Sequence, residues 1–209
     1  MKSNQLRDEA RAIIDDCGSL IENEHFVYAS GNHGSGWIAK DVINLNPERP
    51  RRLGELMADA VRGIECDVVC GPAVGGLICA QYTALAMSKT CVFAERVNTE
   101  AGEQFVLKRG QAQEITGMRV LIVDDVVNTG YSIGLVRESV VQCGGIVVGA
   151  ATWISRGNVG ARELGVEQYR FLDEVSLPSW PAENCPLCED GIPVNTIYAH
   201  GAEFLAGRR

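Results

Sequence analysis

The sequence predicts an α/β fold: a mainly parallel, twisted sheet flanked by helices, with a small flap near the N-terminus. Two observations carry this prediction. From Asp67 onward, short apolar runs alternate with segments of helical period: DVVCG, GGLICAQYTALAM, CVFAE, RVLIVDD, a helical stretch over 132–143, and GIVVGAATWIS. Strands this apolar are buried on both faces, which requires helices above and below them. Turns of small, glycine-rich or hydroxyl-bearing residues follow two of the strands, and such sheets place their ligands beyond the C-terminal strand ends.

The remaining elements follow in order. Leu6, Ala10, Ile13, Ile14, Cys17, Leu20 and Ile21 recur at helical spacing, so an amphipathic helix is expected over residues 3–22. FVYASGNHGSGWIAKD, residues 26–41, breaks into short β-like pieces at Ser-Gly and Gly-Ser-Gly turns and reads as a hairpin-like flap. Pro47 opens a further helix with Leu53, Leu56, Met57, Ala60, Val61 and Ile64 along one face. With 209 residues and 46% hydrophobic content, the chain can bury one substantial core. A single domain over 1–209 is expected: residues 1–45 as N-terminal helix and flap, 46–175 as the α/β core, and 176–209 as a peripheral tail rich in Pro, Cys and Gly.

A formal charge of −8 without clustered Lys and Arg argues against nucleic acid as a partner, yet leaves room for a small anion held by a few local donors. No stretch approaches the roughly 20 apolar residues that span a bilayer, and the charged N-terminus lacks a signal core, so a soluble, cytoplasmic protein without a membrane partner is expected. Eight cysteines in such a chain read as reduced thiols or metal ligands. Cys185-Pro-Leu-Cys188 has the spacing of half a zinc site, which His200 or a second subunit could complete. An ordinary pair of thiols fits the same spacing.

VLIVDDVVNTGYS, residues 120–132, ends an apolar strand with two acids. Neighbouring strand side chains point to opposite faces, so a mid-strand pair would bury at least one carboxylate at a cost of several kcal/mol. Asp124 and Asp125 are therefore expected at the strand's mouth. Val126 and Val127 lead into Asn128, Thr129, Gly130, Tyr131 and Ser132, which supply successive backbone N–H groups, hydroxyls, a permissive glycine and a helix N-terminus. That is a phosphate cradle beside two carboxylates able to accept from sugar hydroxyls and to help hold a metal. GPAVGGLICA, residues 71–80, repeats the order strand, Gly-rich turn, helix, and makes a second anion nest at Ala73, Val74, Gly75 and Gly76. The Gly-Lys-Ser/Thr of a nucleotide P-loop and the GxGxxG fingerprint are both absent.

The first motif resembles the phosphoribosyl pyrophosphate motif of type I phosphoribosyltransferases, and the second stands in that family's order and spacing. The resemblance implies the type I phosphoribosyltransferase fold, in which the 126–132 loop holds a 5′-phosphate, Asp124 and Asp125 hold the ribose hydroxyls, and the 73–76 turn meets pyrophosphate. It also makes residues 93–111, with Arg96, Lys108 and Arg109, a lid over the reacting groups. An exposed β-hairpin with solvated charges is the competing reading of that segment.

Orotate phosphoribosyltransferases are the most similar type, over roughly Phe26–Val175. SGNHGSGWIAKD resembles their hood over the base, with Lys40 among the substrate-binding residues, and ISRGNVGARELGV places Arg156 where an arginine meets the pyrimidine acid. A surface arginine at a strand end is the alternative for Arg156. The resemblance further implies magnesium bridging pyrophosphate and ribose oxygens, phosphoribosyl pyrophosphate and a nucleobase as substrates, and a homodimer in which each lid reaches the neighbouring site. Ser155 stands where the family usually has Asp, Asn128 where it has Thr, and the Lys-x-His-Gly stretch of the lid is missing. The expected function is phosphoribosyl transfer with orotate as leading acceptor. A metabolite-sensing regulator, or a transferase for a purine or other heterocycle, are the alternatives.

Overall fold

The computed structural model describes residues 3–100, 102–157 and 159–207. Ala101 of the expected lid, Asn158 beyond Arg156, and both ends of the expected 1–209 domain lie outside the described residues. In chain order the elements begin with α1 (Ser3–Asp16), β1 (Leu20–Val27), β2 (His33–Ile38), α2 (Asp41–Asn44) and α3 (Glu48–Ala60). There follow β3 (Val68–Pro72), α4 (Gly75–Met87), β4 (Thr90–Thr99), β5 (Gly102–Val106), α5 (Gln111–Ile115), β6 (Arg119–Val127) and α6 (Tyr131–Gln142). The last are β7 (Ile146–Ser155), β8 (Tyr169–Glu174), β9 (Ser179–Trp180), α7 (Pro186–Glu189) and α8 (Gly201–Gly207).

Two compact units result. One comprises the chain up to Ile13 together with Asn44–Val175; the other comprises Ile14–Ile43 and the chain from Ser176 onward. The stretches expected as flap and tail thus fall in one unit.

The first unit is built on a six-stranded sheet of order β5-β4-β3-β6-β7-β8, parallel except where β5 folds back on β4. Every residue of β3 is buried, as a strand covered on both faces requires. Alternation sorts the side chains: Val68, Cys70, Val120 and Ile122 join Ile133, Val136 and Val140 of α6 in one core layer. Val69, Leu121 and Val123, equally buried, face the other side. There α4, apolar on nearly all sides, contacts β3 and β6 and is backed by α3. The two helices approach so closely at Gly54 that a Cβ there would lie 2.6 Å from the Tyr82 carbonyl carbon.

The helix expected over 3–22 ends at Asp16, and Leu20 and Ile21 belong to β1. The reason is local. Gly18 takes φ +66°, and the N–H groups of Gly18 and Ser19 turn back to the carbonyls of Asp15 and Ile14, closing the last turn. Nothing in the apolar spacing registers that stop. On α1, Arg7 and Arg11 bind the buried Asp173 of β8 at 3.1 and 2.5 Å, a pairing absent from the sequence reading. β8 itself was not anticipated; it extends the sheet beside β7.

Burial lifts the Cys91 thiol to about 11, and pushes Cys70 and Cys79 well above the usual thiol range. A raised thiol pKa stabilises the fold fully below the unfolded value, near 9, and that contribution fades as pH climbs through the folded one. Wild-type Tm should therefore fall more steeply than that of Cys91→Ala between about pH 9 and about pH 11, measured by thermal melts at matched ionic strength. Parallel curves would refute this.

In the second unit β1 and β2 form the expected antiparallel hairpin, extended by β9. His200 does not complete a Cys185–Cys188 site: its Nδ1 pairs with Glu203 Oε2 one helical turn away, 2.5 Å distant. The histidines beside those cysteines are His25 and His33, both buried. Among the described residues no helix is long and apolar enough to cross a membrane.

Candidate active site

The sheet order contains a reversal. From β3 the chain moves outward to β4, then returns to lay β6 on the opposite side of β3. The turns leaving β3 and β6 therefore depart in opposite directions from adjacent parallel strands, and a crevice opens between them. Both motifs singled out in the sequence lie on these two turns.

After β6, an open pocket of about 110 Å³ is lined by Asp124 and by Val126, Val127, Asn128, Thr129, Gly130, Tyr131 and Ser132, with Ile133 behind them. Gly130 caps α6 at φ +81°, where an added Cβ would meet Leu164 Cδ2 at 2.5 Å, so both conformation and space demand glycine. The Tyr131 N–H donates to Thr129 Oγ1 at 3.4 Å. Pocket and helix start coincide, so an anion here meets the positive end of a twelve-residue helix.

The acidic doublet departs from expectation. Asp124 and Asp125 are the sixth and seventh of nine strand residues, and only 6% and 1% exposed. Both are buried inside the sheet rather than placed at its mouth. The backbone makes this tolerable: Asp124 Oδ1 accepts the Asp125 N–H at 2.9 Å, and Asp125 Oδ1 accepts the Val126 N–H at 2.7 Å. Asp124 forms a wall of the pocket; Asp125 is not part of that lining. Cys79 of α4 lies against the pair, donating to the Asp124 carbonyl at 3.4 Å, and these carboxylates add to the burial that keeps its thiol protonated.

The second turn reaches the same place. Ala73 and Val74 join β3 to α4 through a cis peptide bond, Val74 projects outward at 73% exposure, and Gly75 and Gly76 open the helix. A Cβ built on Gly76 would lie 2.8 Å from Asp124 Oδ1 and 2.5 Å from Pro72 Cδ. The first turn of α4 thus abuts the carboxylate that walls the phosphate-sized pocket. Sequence alone showed two separate turns, one Gly-rich and one hydroxyl-bearing; this contact joins them.

Arg96, Lys108 and Arg109 lie on or beside the β4–β5 hairpin and engage its own acids. Arg96 pairs with Glu103 at 2.8 Å and stacks over Phe105, while Arg109 and Lys108 reach Glu95 at 2.9 and 3.7 Å. The Arg109 guanidinium holds the Glu95 carboxyl below its ordinary range. Arg156 follows β7, and its backbone N–H donates to the Val127 carbonyl at 2.6 Å, next to the pocket lining. Ser155, which stands in place of an acid, is fully buried in β7. Lys40 belongs to the other unit, half-buried between β2 and α2.

A parallel sheet that reverses direction between two glycine-containing turns, with an acid between them, is the class of fold that presents a crevice for a small ligand at its switch point. The signature described as the phosphoribosyl transferase domain matches residues 41–183, and the chain belongs to that family. It is 36% identical over 187 residues to the orotate phosphoribosyltransferase of Pelotomaculum thermopropionicum, covering 90% of this chain and 94% of that protein. It is 32% identical over 193 residues to the orotate phosphoribosyltransferase of Thermotoga maritima, covering 91% and 98%. The fold is shared with the crystal structure of orotate phosphoribosyltransferase from Aeropyrum pernix, at TM-score 0.65 and 24% identity over 79% of this chain and 93% of that one. The Mycobacterium tuberculosis orotate phosphoribosyltransferase in complex with 5-phospho-α-D-ribosyl 1-diphosphate superposes at TM-score 0.59 and 22% identity, covering 81% and 96%.

Proposed function

We propose that the protein transfers the 5-phosphoribosyl group from phosphoribosyl pyrophosphate to a ring nitrogen of orotate, releasing pyrophosphate. The observation that carries this reading is the approach of the Gly76 turn to Asp124, which supplies anion donors on both sides of one carboxylate. In the reaction the bond from C1′ to pyrophosphate oxygen breaks and a bond from the base nitrogen forms, so positive charge develops on the ribose and negative charge on the leaving group.

Each group then has a role. Backbone N–H groups and hydroxyls of residues 126–132 hold the 5′-phosphate, and Asp124 with Asp125 holds the ribose hydroxyls and stabilises cationic character at the sugar. The turn at residues 73–76 receives the pyrophosphate. Arg96 and Lys108 close over it by exchanging Glu103 and Glu95 for phosphate oxygens. The exchange is cheap because exposed ion pairs are worth only about 0–1 kcal/mol. Arg156, tethered beside the pocket by its own backbone, offers a planar fork to the orotate carboxylate.

Asp124, which stands between the pocket and the Gly76 turn, offers carboxylate oxygens suited to a hard cation such as Mg²⁺. Bound there with substrate, Mg²⁺ would neutralise charge on the departing pyrophosphate. A homodimer, as the family resemblance implies, completes the reading.

Pyrophosphate release measured with phosphoribosyl pyrophosphate and a panel of bases tests it. Release with orotate, abolished in Arg156→Ala and in Asp125→Asn, is the expected result. Tight donor binding without release for any base would replace the enzyme with a metabolite sensor, and release only with a purine would reassign the acceptor.

A further inference from the structure

We infer that His25, His33, Cys185 and Cys188 form a tetrahedral site for a zinc ion, which ties the β1–β2 hairpin to the C-terminal segment within the second unit. Each residue offers one ligand atom, and the four atoms lie within 4.8 Å of one another. Cys185 Sγ stands 3.7 Å from His25 Nε2; Cys188 Sγ stands 3.8 Å from the same nitrogen and 3.4 Å from His33 Nδ1. With Zn–N near 2.0 Å and Zn–S near 2.3 Å, the edges of such a tetrahedron measure about 3.3–3.8 Å, so these three separations already match. The two imidazole nitrogens, 2.8 Å apart, are at hydrogen-bond distance. A cation that displaces the shared proton would spread them by about half an ångström.

The surroundings prepare the ligands. His25 Nδ1 lies 2.8 Å from the Ile192 carbonyl, which can only accept, so Nδ1 carries the proton and Nε2 turns its lone pair toward the cysteines. A carbonyl behind a histidine is the usual support of a metal-bound imidazole. The Cys188 and Glu189 N–H groups both return to the Cys185 carbonyl, at 3.1 and 3.2 Å, folding the two thiols to one side of a tight turn. His33 pairs with Val27 across the hairpin, and the Asn195 N–H donates to the His25 carbonyl at 2.7 Å, so the backbone holds hairpin and tail in register around the cluster.

The chemistry favours zinc. Two thiolates and two neutral imidazoles balance a 2+ ion, so the buried site carries no net charge, whereas the same groups without metal pay desolvation for little return. Sulfur and imidazole in tetrahedral array select zinc over magnesium or calcium. A unit of this size, assembled from two distant stretches of chain, belongs to the range below about 70 residues where metals or disulfides are commonly needed.

Metal analysis of the purified full-length protein should find about one zinc per chain. Cobalt substituted for it should give visible absorption of tetrahedral Co²⁺ with a near-ultraviolet thiolate charge-transfer band. Cys188→Ser and His33→Gln should lose the metal while Cys17→Ser retains it, and stripping zinc with a chelator should lower Tm by about 5–10 °C. The cobalt spectrum of the wild-type chain needs no substitution, so it decides the matter even if a variant misfolds. Zinc retained in a Cys185→Ser, Cys188→Ser double variant, a Cys185–Cys188 disulfide in the freshly purified protein, or zinc-supplemented protein without metal and without a cobalt spectrum would each overturn the assignment.

Discussion

Asp124→Asn should lower kcat for pyrophosphate release about a hundredfold or more, while Tm stays level or rises. The two effects have one origin. Asp124 and Asp125 are consecutive buried carboxylates in the sheet, each using one oxygen to accept a neighbouring backbone N–H. Their mutual repulsion and lost hydration oppose folding. Asparagine keeps an oxygen for the Asp125 N–H and removes one of the charges, so the fold gains up to about 1–2 kcal/mol, a few degrees in Tm. The same loss deprives the pocket wall of the negative charge that faces a ribose becoming cationic. Steady-state pyrophosphate release and calorimetry of the unliganded protein read the two quantities separately. Near-wild-type turnover would remove Asp124 from the site, and a Tm drop of several degrees would show that its charge is structurally required.

Gly76→Ala is the second large effect. Its Cβ would stand 2.5 and 2.7 Å from the Cδ and Cγ of Pro72 and 2.8 Å from Asp124 Oδ1, all inside contact distance. The Pro72 ring is rigid and ends β3, and the carboxylate is buried, so the methyl must push apart the two turns whose meeting builds the crevice. Displacements near 1 Å in such a constellation cost about 10²-fold in turnover, and overpacking costs about 1–3 kcal/mol in stability. Gly134→Ala on α6 is the matched control, because a Cβ there meets nothing within 4 Å. It should leave turnover unchanged and stabilise α6 by about 0.5–1 kcal/mol. Equal behaviour of the two variants would contradict the close-approach account.

Much of this could be read from local pattern. α4 runs over Gly75–Met87, the span of GGLICAQYTALAM, while β6 runs on to Val127, past RVLIVDD, and α6 starts at Tyr131 and ends at Gln142, one residue ahead of the expected 132–143, because apolar period is a property of neighbouring residues. The pocket after β6 was legible for the same reason: its lining residues are nearly consecutive. The stop of α1 was missed because Leu20 and Ile21 continue the helical spacing past Gly18 while pairing as strand residues with Ile38 and Trp37. β8 was missed because YRFLDE carries a short, mixed pattern that becomes a strand only beside β7.

Composition and periodicity were enough to establish the sheet and its helical cover, and the resemblance carried by the two motifs pointed to the phosphoribosyltransferase family. They could not show that the acidic doublet lies buried, that Gly76 abuts Asp124, that Glu95 and Glu103 hold the hairpin cations, or that His25 and His33 meet Cys185 and Cys188 across roughly 150 residues of chain. Such pairings depend on which strands become neighbours and how closely backbones approach. Those distances are set by packing of the whole chain, and no stretch of sequence contains them.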